Sequence, residues 1–285
     1  MANTRELRRR IKSVKNTSQI TKAMQMVAAT KMRRAQNQAT SGRPYSENLA
    51  VSLSRLLPKV NPQAHPLLSG NDSKTQALVV LSTDKGLVGA LNTNIIRTLA
   101  SNIVSGNTVY YTVGRKGRGF VVKSGKDLKA DFENLDTVTF RQAKQLAKLL
   151  MDSYKSGEIG EAFIVYPQFI STLRQEARKV KLLPIDLTET DSSLVAQNDK
   201  SEFLFEPAAD ALLDYLLVHH IEEQIYQALL ETKASEHSAR MMAMQNATDN
   251  AKELVEDLTL TYNQTRQTAI TTELLEITTA QVAMN

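Results

Sequence analysis

Apolar residues recur at three- and four-residue steps along both ends of the chain, and they gather into short runs between them. Near the start, Leu7, Ile11, Val14, Ile20, Met24, Val27 and Ala35 fall on one helical face, with Thr17 or Ser18, Thr21 and Ala28 filling gaps on or beside it. Near the end, Leu213, Leu217, Ile221, Ala228, Met242, Leu254, Leu258, Ala269 and Leu275 recur similarly with polar interruptions. Helix breakers sharpen the picture. All eleven glycines lie between Gly42 and Gly160, and all seven prolines between Pro44 and Pro207. Breaker-free ends rich in Ala, Leu, Met, Gln, Glu, Lys and Arg predict two long helices, because Pro and Gly are costly inside one. The second is expected to start at Pro207, a residue suited to the first helical turn, and to span roughly 115 Å. Each apolar stripe is narrow, which predicts a two-helix seam, and its Ala, Thr, Ser and Gln content predicts close packing with modest apolar burial.

Charge pairs the two ends. Residues 1–36 carry ten basic groups and one acid, whereas residues 207–285 carry four basic groups and twelve acids. Opposite signs favour mutual pairing. A compact middle joins the ends, so they are expected to run antiparallel, with the longer second helix extending past its partner.

Between the ends the period changes. Gln76–Ser82 (QALVVLS), Thr108–Val113 (TVYYTV) and Glu161–Pro167 (EAFIVYP) read as buried strands, and stretches near 90–104, 114–124 and 140–157 read as helices. The alternation predicts an α/β unit with a mostly parallel sheet. Ala177–Ile185 (ARKVKLLPI) reads as a further strand, at an edge because Pro184 is tolerated there. Residues 58–74 and 186–202 read as linkers, the latter possible also as a hairpin. The fold class is therefore α/β plus a long coiled coil: an N-terminal helix over 1–58, a middle α/β domain over 75–200, and a C-terminal helix over 207–285 that pairs with the first.

Composition narrows the chemistry. With no cysteine there are no disulfides, thiolate metal sites or thiol nucleophiles. The absence of tryptophan and an aromatic content of 5% argue against a stacking platform for single-stranded nucleic acid. No window reaches ~18 uninterrupted apolar residues, so no membrane-spanning helix is expected. The start, MANTRELRRR, lacks the apolar segment of a secretion signal and the chain reads as one without a transit peptide. Ser82–Asn92 (STDKGLVGALN) follows a strand and precedes a helix, the place where an α/β protein binds phosphate, but no Lys-Ser or Lys-Thr pair follows its second glycine. A tight strand-to-helix turn is the favoured reading. Gly114–Gly119 (GRKGRG) is basic and also follows a strand, without the spacing of a dinucleotide fingerprint. His219 with Glu223 has metal-ligand spacing but no third ligand nearby, so it reads as a solvated helix face. No cofactor and no catalytic constellation are expected, which points to a mechanical or binding role. The basic run Arg5–Lys15 leaves a coiled-coil nucleic-acid-binding protein as the alternative.

Three segments then carry a resemblance. Residues 11–32 (IKSVKNTSQITKAMQMVAATKM), residues 235–250 (SEHSARMMAMQNATDN) and residues 258–277 (LTLTYNQTRQTAITTELLEI) stand in the order and spacing of the gamma subunit of F-type ATP synthases, which the chain resembles over nearly its whole length. The resemblance implies a Rossmann-like middle domain and a rotor shaft that couples c-ring rotation to ATP synthesis or hydrolysis. Catalysis would then reside on beta subunits of an alpha3beta3 ring, with epsilon and the c ring as further partners. It places the protein at the cytoplasmic face of a bacterial membrane, and it makes the chain a non-catalytic subunit. Arg266, Gln267, Thr271 and Glu273 look like groups that engage beta-subunit loops. Met24 looks like one that approaches an acidic beta loop. Phe203, Phe205 and Glu206 resemble the segment that meets the c ring. The chain lacks the chloroplast and cyanobacterial insertion, and Thr278 and Thr279 stand where the family often has a glycine.

Overall fold

The computed structural model of the chain describes residues 2–56, 65–101, 107–185 and 209–283. Five helices and five strands follow in the order α1 (Ala2–Leu56), β1 (Gln76–Leu81), α2 (Leu91–Ser101), β2 (Thr108–Val113), α3 (Arg115–Lys123), β3 (Asp127–Phe132), α4 (Phe140–Lys155), β4 (Glu161–Phe169), β5 (Gln175–Leu183) and α5 (Ala209–Ala283). They form two units. One comprises Met1–Ala29 and Arg240–Asn285, the other Thr30–Ala239, so the division cuts both long helices.

In the first unit α1 and α5 run antiparallel. Thr21 Oγ1 lies 2.7 Å from Thr248 Oγ1, and the Gln25 amide donates to Gln245 Oε1, so the chain rises on one helix as it falls on the other. The covered positions of α1 include Leu7, Ile11, Val14, Ser18, Thr21, Met24, Gln25 and Ala28, and those of α5 include Met244, Gln245, Thr248, Ala251, Val255, Leu258, Tyr262, Thr265 and Ala269. Alternating steps of three and four keep this seam on one side of each helix. Ile20, Val27, Leu254 and Leu275, read from the sequence as seam residues, are instead exposed. Small and polar residues such as Ser18, Thr21, Ala28, Thr248 and Ala251 share the seam with larger apolar ones such as Leu7, Ile11, Val14, Val255 and Leu258. Arg5, Arg8, Arg9, Arg10, Lys12 and Lys15 are also exposed, so the charge expected to pair the helices lies off the seam, and the two bonds above join neutral groups.

The second unit is an α/β sandwich. Its sheet has the order β3-β2-β1-β4-β5; β1, β2, β3 and β4 are parallel, and β5 is antiparallel to β4 at the edge. Central strands are buried on both faces, as parallel strands crossed by helices require. Ala77, Val79, Leu81 and Tyr111 meet Leu146, Leu150 and Met151 of α4, with Leu53 and Leu56 of α1 and Leu217, Ile221 and Ile225 of α5. On the other face, Leu78, Val80 and Tyr110 meet Leu91, Ile95 and Leu99 of α2 and Val121 of α3. The helix α1 passes through Gly42 and Pro44. Pro44 has no N–H to give, but burial of Leu49, Leu53 and Leu56 just beyond it offsets that loss.

Strand β3 was not legible from apolar content. Its six residues alternate exposed and half-buried. Pairing shifts by one residue between Tyr110 and Tyr111, leaving Lys129 as a bulge. Leu128 consequently packs with the α2–α3 face, and Ala130 and Phe132 with the α4 face. The expected linker over 58–74 is partly structured: Leu67 is fully buried and its carbonyl accepts from Ile185 N–H at 3.0 Å. The stretch 186–202 lies outside the described residues.

Within this unit residues 225–239 of α5 are mostly buried, as a helix surrounded by structure must be. His220 is buried beside Tyr166, Arg178 and Glu223. Burial first, and neighbouring His219 second, lower its pKa from 6.5 to about 4. The unfolded chain therefore takes up a proton that the folded chain refuses. The contribution is complete above about pH 6.5 and is lost as pH falls toward 4, on the order of 2–3 kcal/mol. Urea unfolding at pH 7.5 and pH 5 should show a smaller acid loss for His220→Gln than for wild type; equal losses would exclude His220 as the source.

Candidate functional site

The free end of the coil comes first. Thr21 faces Thr248, so the start of α1 lies level with about residue 267 of α5, given equal rise on both helices. Arg266 and Gln267 thus stand at the last level where α1 can accompany α5, and Thr271 and Glu273 stand beyond it. All four side chains are exposed, as is every residue from 270 to 283. Thr271 Oγ1 donates to the Gln267 carbonyl at 3.0 Å, which turns the hydroxyl back onto its own helix. At 100° per residue Arg266 and Glu273 share one face and Gln267 and Thr271 another. Between these faces runs a stripe of Ile270, Leu274 and Ile277, exposed by 46%, 58% and 63%. Met24 is half-buried and adjoins the Gln25–Gln245 bond, about 30 Å along the coil from Arg266. The structure therefore gathers four of the five sequence-selected coil residues and holds Met24 apart. Phe203, Phe205 and Glu206 lie outside the described residues.

In the second unit, the strand ends resolve the two phosphate-loop candidates together. Helix α3 begins after Gly114, and its first N–H groups face the loop after β1. Arg115 N–H donates to Asp84 Oδ1 at 2.9 Å, Lys116 N–H to the Thr83 carbonyl at 3.1 Å, and Gly117 N–H to Ser82 Oγ at 2.8 Å. The donors that cradle phosphate in nucleotide-binding folds are here taken by the chain's own carboxylate, carbonyl and hydroxyl. Thr83 and Asn92 close the other loop, with Asn92 Nδ2 donating to Thr83 Oγ1 at 2.8 Å and Thr83 Oγ1 donating to the Lys85 carbonyl at 2.7 Å. Both segments are strand-to-helix turns that brace each other.

A buried ion pair continues this brace into α5. Lys233 Nζ lies 3.3 Å from Glu236 Oε2, with both side chains less than a tenth exposed. Asn134, on the loop after β3, donates from Nδ2 to Glu236 Oε2 at 3.2 Å and to the Ser82 carbonyl at 2.8 Å, while its own carbonyl accepts from Lys233 Nζ at 3.3 Å. Two small residues complete the joint: Ser235 Oγ donates to the Pro167 carbonyl at 2.8 Å and Ser238 Oγ to the Thr172 carbonyl at 2.7 Å. This cluster is not legible in the sequence, because an i, i+3 Lys–Glu pair reads as a solvated helix face and nothing in the sequence marks Asn134.

His219 also departs from its sequence reading. Its ring packs within 5.6 Å of Tyr45, 5.5 Å of Phe140 and 6.1 Å of Tyr215, centroid to centroid. Tyr45 Oη lies 2.7 Å from Nε2, and Glu222 Oε2 lies 3.5 Å from Nδ1. The histidine is the hub of an aromatic cluster rather than part of a solvated face. Among the described residues no three His, Asp or Glu side chains come together as a metal site, and no helix is long and apolar enough to cross a membrane.

Known proteins match this arrangement over its full length. The family model for ATP synthase matches residues 3–284. The ATP synthase gamma chain of Methylacidiphilum infernorum is 45% identical, covering 100% of both chains, and that of Desulforamulus reducens is 43% identical over 100% of both. Among solved structures, a chain of the Tetrahymena thermophila mitochondrial ATP synthase central stalk and c ring superposes with a TM-score of 0.61 at 27% identity, covering 80% of this chain and 99% of the other. A chain of the Euglena gracilis mitochondrial ATP synthase rotor shares the fold, with a TM-score of 0.67 at 21% identity over 94% of this chain and 99% of that one. Nothing in these relatives supports the nucleic-acid alternative. The chain belongs to the ATP synthase gamma-chain family.

Proposed function

We propose that the chain is the central rotor shaft of a proton-translocating ATP synthase, with residues 1–58 and 207–285 as the shaft and 75–200 as the α/β domain. Rotation of a c ring turns it, and its free coil end drives beta subunits of an alpha3beta3 ring through different conformations; epsilon is its companion on the stalk. The observation that carries this reading is the Ile270–Leu274–Ile277 stripe, an apolar face left uncovered on a continuous helix and flanked by Arg266 and Glu273 on one side and Gln267 and Thr271 on the other. A stripe of that kind needs an enclosing partner, and mixed polar flanks suit a shaft that must turn without sticking at one angle. The chain itself is non-catalytic in this reading: the phosphate-cradling donors of its α/β domain are consumed internally. Its place is the cytoplasmic face of a bacterial membrane, attached through the complex. Met24 supplies a separate beta contact lower on the coil, and Phe203, Phe205 and Glu206 supply the c-ring contact.

Purification of the tagged chain from its cell membranes in mild detergent tests the reading. A complex containing alpha and beta subunits should hydrolyse Mg-ATP while the isolated chain does not. Arg266→Ala and Gln267→Ala should each lower that turnover severalfold, equivalent to about 1 kcal/mol of lost contact, with the isolated chain unfolding at the wild-type urea concentration. Turnover by the lone chain would refute the non-catalytic role, and wild-type turnover by both variants would refute the assigned contacts.

A further inference from the structure

A cleft of about 210 Å³ lies between the β4–β5 pair and α5. Strand alternation builds its sheet wall. Tyr166 is paired across the two strands with Arg178, and Ile164 with Val180, and Leu182 follows on the same face. Those three levels span about 13 Å. The helix wall runs from His220 to Ala228, about 12 Å along α5. Ser235 Oγ bonds the Pro167 carbonyl, so α5 advances in the same direction as β4. His220 therefore stands nearer Leu182, and Ala228 nearer Tyr166. A small volume spread over that length makes a narrow slot, which admits one extended chain more readily than a ring system.

Two buried polar groups line this slot without a bond. His220 is 8% exposed and Tyr166 9%, and neither makes a hydrogen bond with another described residue. Such groups are ordinarily paired, because an unmade bond leaves the cost of desolvation uncompensated. Burial first, then the Glu231 carboxylate, raises the Tyr166 pKa to about 12 against the opposing charge of Arg178, so the phenol keeps its proton. His220, held at about 4, is a neutral ring with one donor and one acceptor at neutral pH. Arg178 is exposed beside Tyr166 and makes no ion pair with a described residue. The acid on the lining, Glu223, faces α1 instead: its Oε1 would lie 3.8 Å from a Cβ added at Gly42. One end of the slot thus offers a cation and a hydroxyl donor, the middle is aliphatic, and the other end offers a neutral imidazole.

We propose that this slot binds an extended medium-chain carboxylate. Its carboxylate meets Arg178 and Tyr166, its chain lies along Ile164, Val180 and Leu182, and a hydroxyl at its far end meets His220. A planar anion suits a guanidinium with a second donor beside it. An apolar slot with a few convergent polar groups is the usual form of a small-molecule site, here scaled to a small ligand. Occupancy would tie α5 to the edge strand β5. The slot lies wholly within this chain, so its ligand needs no partner subunit and stands apart from the shaft reading.

Calorimetry on the isolated full chain with 8-hydroxyoctanoate, octanoate and 1,8-octanediol tests the site. We expect saturable one-to-one binding of 8-hydroxyoctanoate, with a Kd on the order of 0.1 mM. Octanoate should bind about threefold more weakly and the diol at least about tenfold more weakly. Arg178→Gln, a change at an exposed position, should weaken both acids about tenfold and leave the diol unchanged. His220→Leu should erase the advantage of 8-hydroxyoctanoate over octanoate, and Val180→Phe should block all three by filling the slot. Urea unfolding of each variant confirms that it is folded. Failure of 8-hydroxyoctanoate to saturate below about 10 mM would overturn the site. So would equal affinity for all three probes, which is unspecific apolar binding, or acid binding that Arg178→Gln leaves unchanged, which is binding elsewhere.

Discussion

Gly114→Ala is expected to abolish the native fold or to cost more than about 4 kcal/mol. Gly114 has φ of 100°, a backbone conformation that L side chains rarely adopt, and a Cβ built there falls 2.3 Å from the Ser82 carbonyl oxygen, 2.8 Å from its carbon and 2.9 Å from its Oγ. These are chiefly backbone atoms of the central strand's end, and they cannot swing aside. Moving them also breaks the three bonds by which Ser82, Thr83 and Asp84 satisfy the first turn of α3. Gly125→Ala makes the control: φ is 63° there too, but nothing lies within 4 Å of the added atom, so only the left-handed penalty of about 1 kcal/mol applies. Urea unfolding of the isolated chains separates the two cases. An alanine at 114 that costs no more than the one at 125 would show that the two loops do not approach as described.

That same contact explains what could be read from the sequence and what could not. The glycine in GRKGRG was legible as a strand-to-helix turn, since a strand signal ends at Val113 and a helical stretch follows. What fills the turn was not legible. Ser82 precedes Gly114 by thirty-two positions, and no periodicity connects a hydroxyl to the N–H groups it will meet after β1 and β2 pair. Long regular features fared better. Both long helices and three of the four parallel strands follow from apolar spacing and breaker placement, because a helix or buried strand imposes its period locally. Strand β3 escaped because its edge position lets charged residues alternate with Leu128, Ala130 and Phe132, and a bulge at Lys129 breaks even that period. On the coil the period was right but some members were wrong. Ile20 and Val27 are exposed, yet the seam takes Ser18, Thr21, Gln25 and Ala28, where Thr21 and Gln25 bond Thr248 and Gln245 of the facing helix. The site residues at the free end came from family resemblance. Their exposure, and the apolar stripe between them, are what the structure adds.

Lys233→Met is expected to destabilise the chain by about 3–5 kcal/mol, since Glu236 would remain a buried carboxylate without its ammonium. The pair is less valuable than that loss suggests. Taking both charges out of water is itself costly, so Lys233→Met with Glu236→Gln should cost less than the sum of the two single substitutions, by at least about 1–2 kcal/mol. Glutamine keeps an acceptor for Asn134 Nδ2, which otherwise holds Ser82 alone. Strict additivity in urea unfolding would mean that the pair does not interact. The reason to keep charge at this place is mechanical in the shaft reading. Torque must pass between the α/β domain and α5, and the Lys233–Glu236–Asn134 cluster bonds α5 to the end of the central strand, while Ser235 and Ser238 bond it to the β4–β5 hairpin. Directional bonds resist sliding along a helix better than apolar packing does, because a shifted methyl group finds another contact whereas a shifted carboxylate loses its partner. In the assembled complex, the double variant should therefore move fewer protons per ATP hydrolysed than wild type even where its stability is largely restored. An unchanged ratio would show that the cluster serves folding alone.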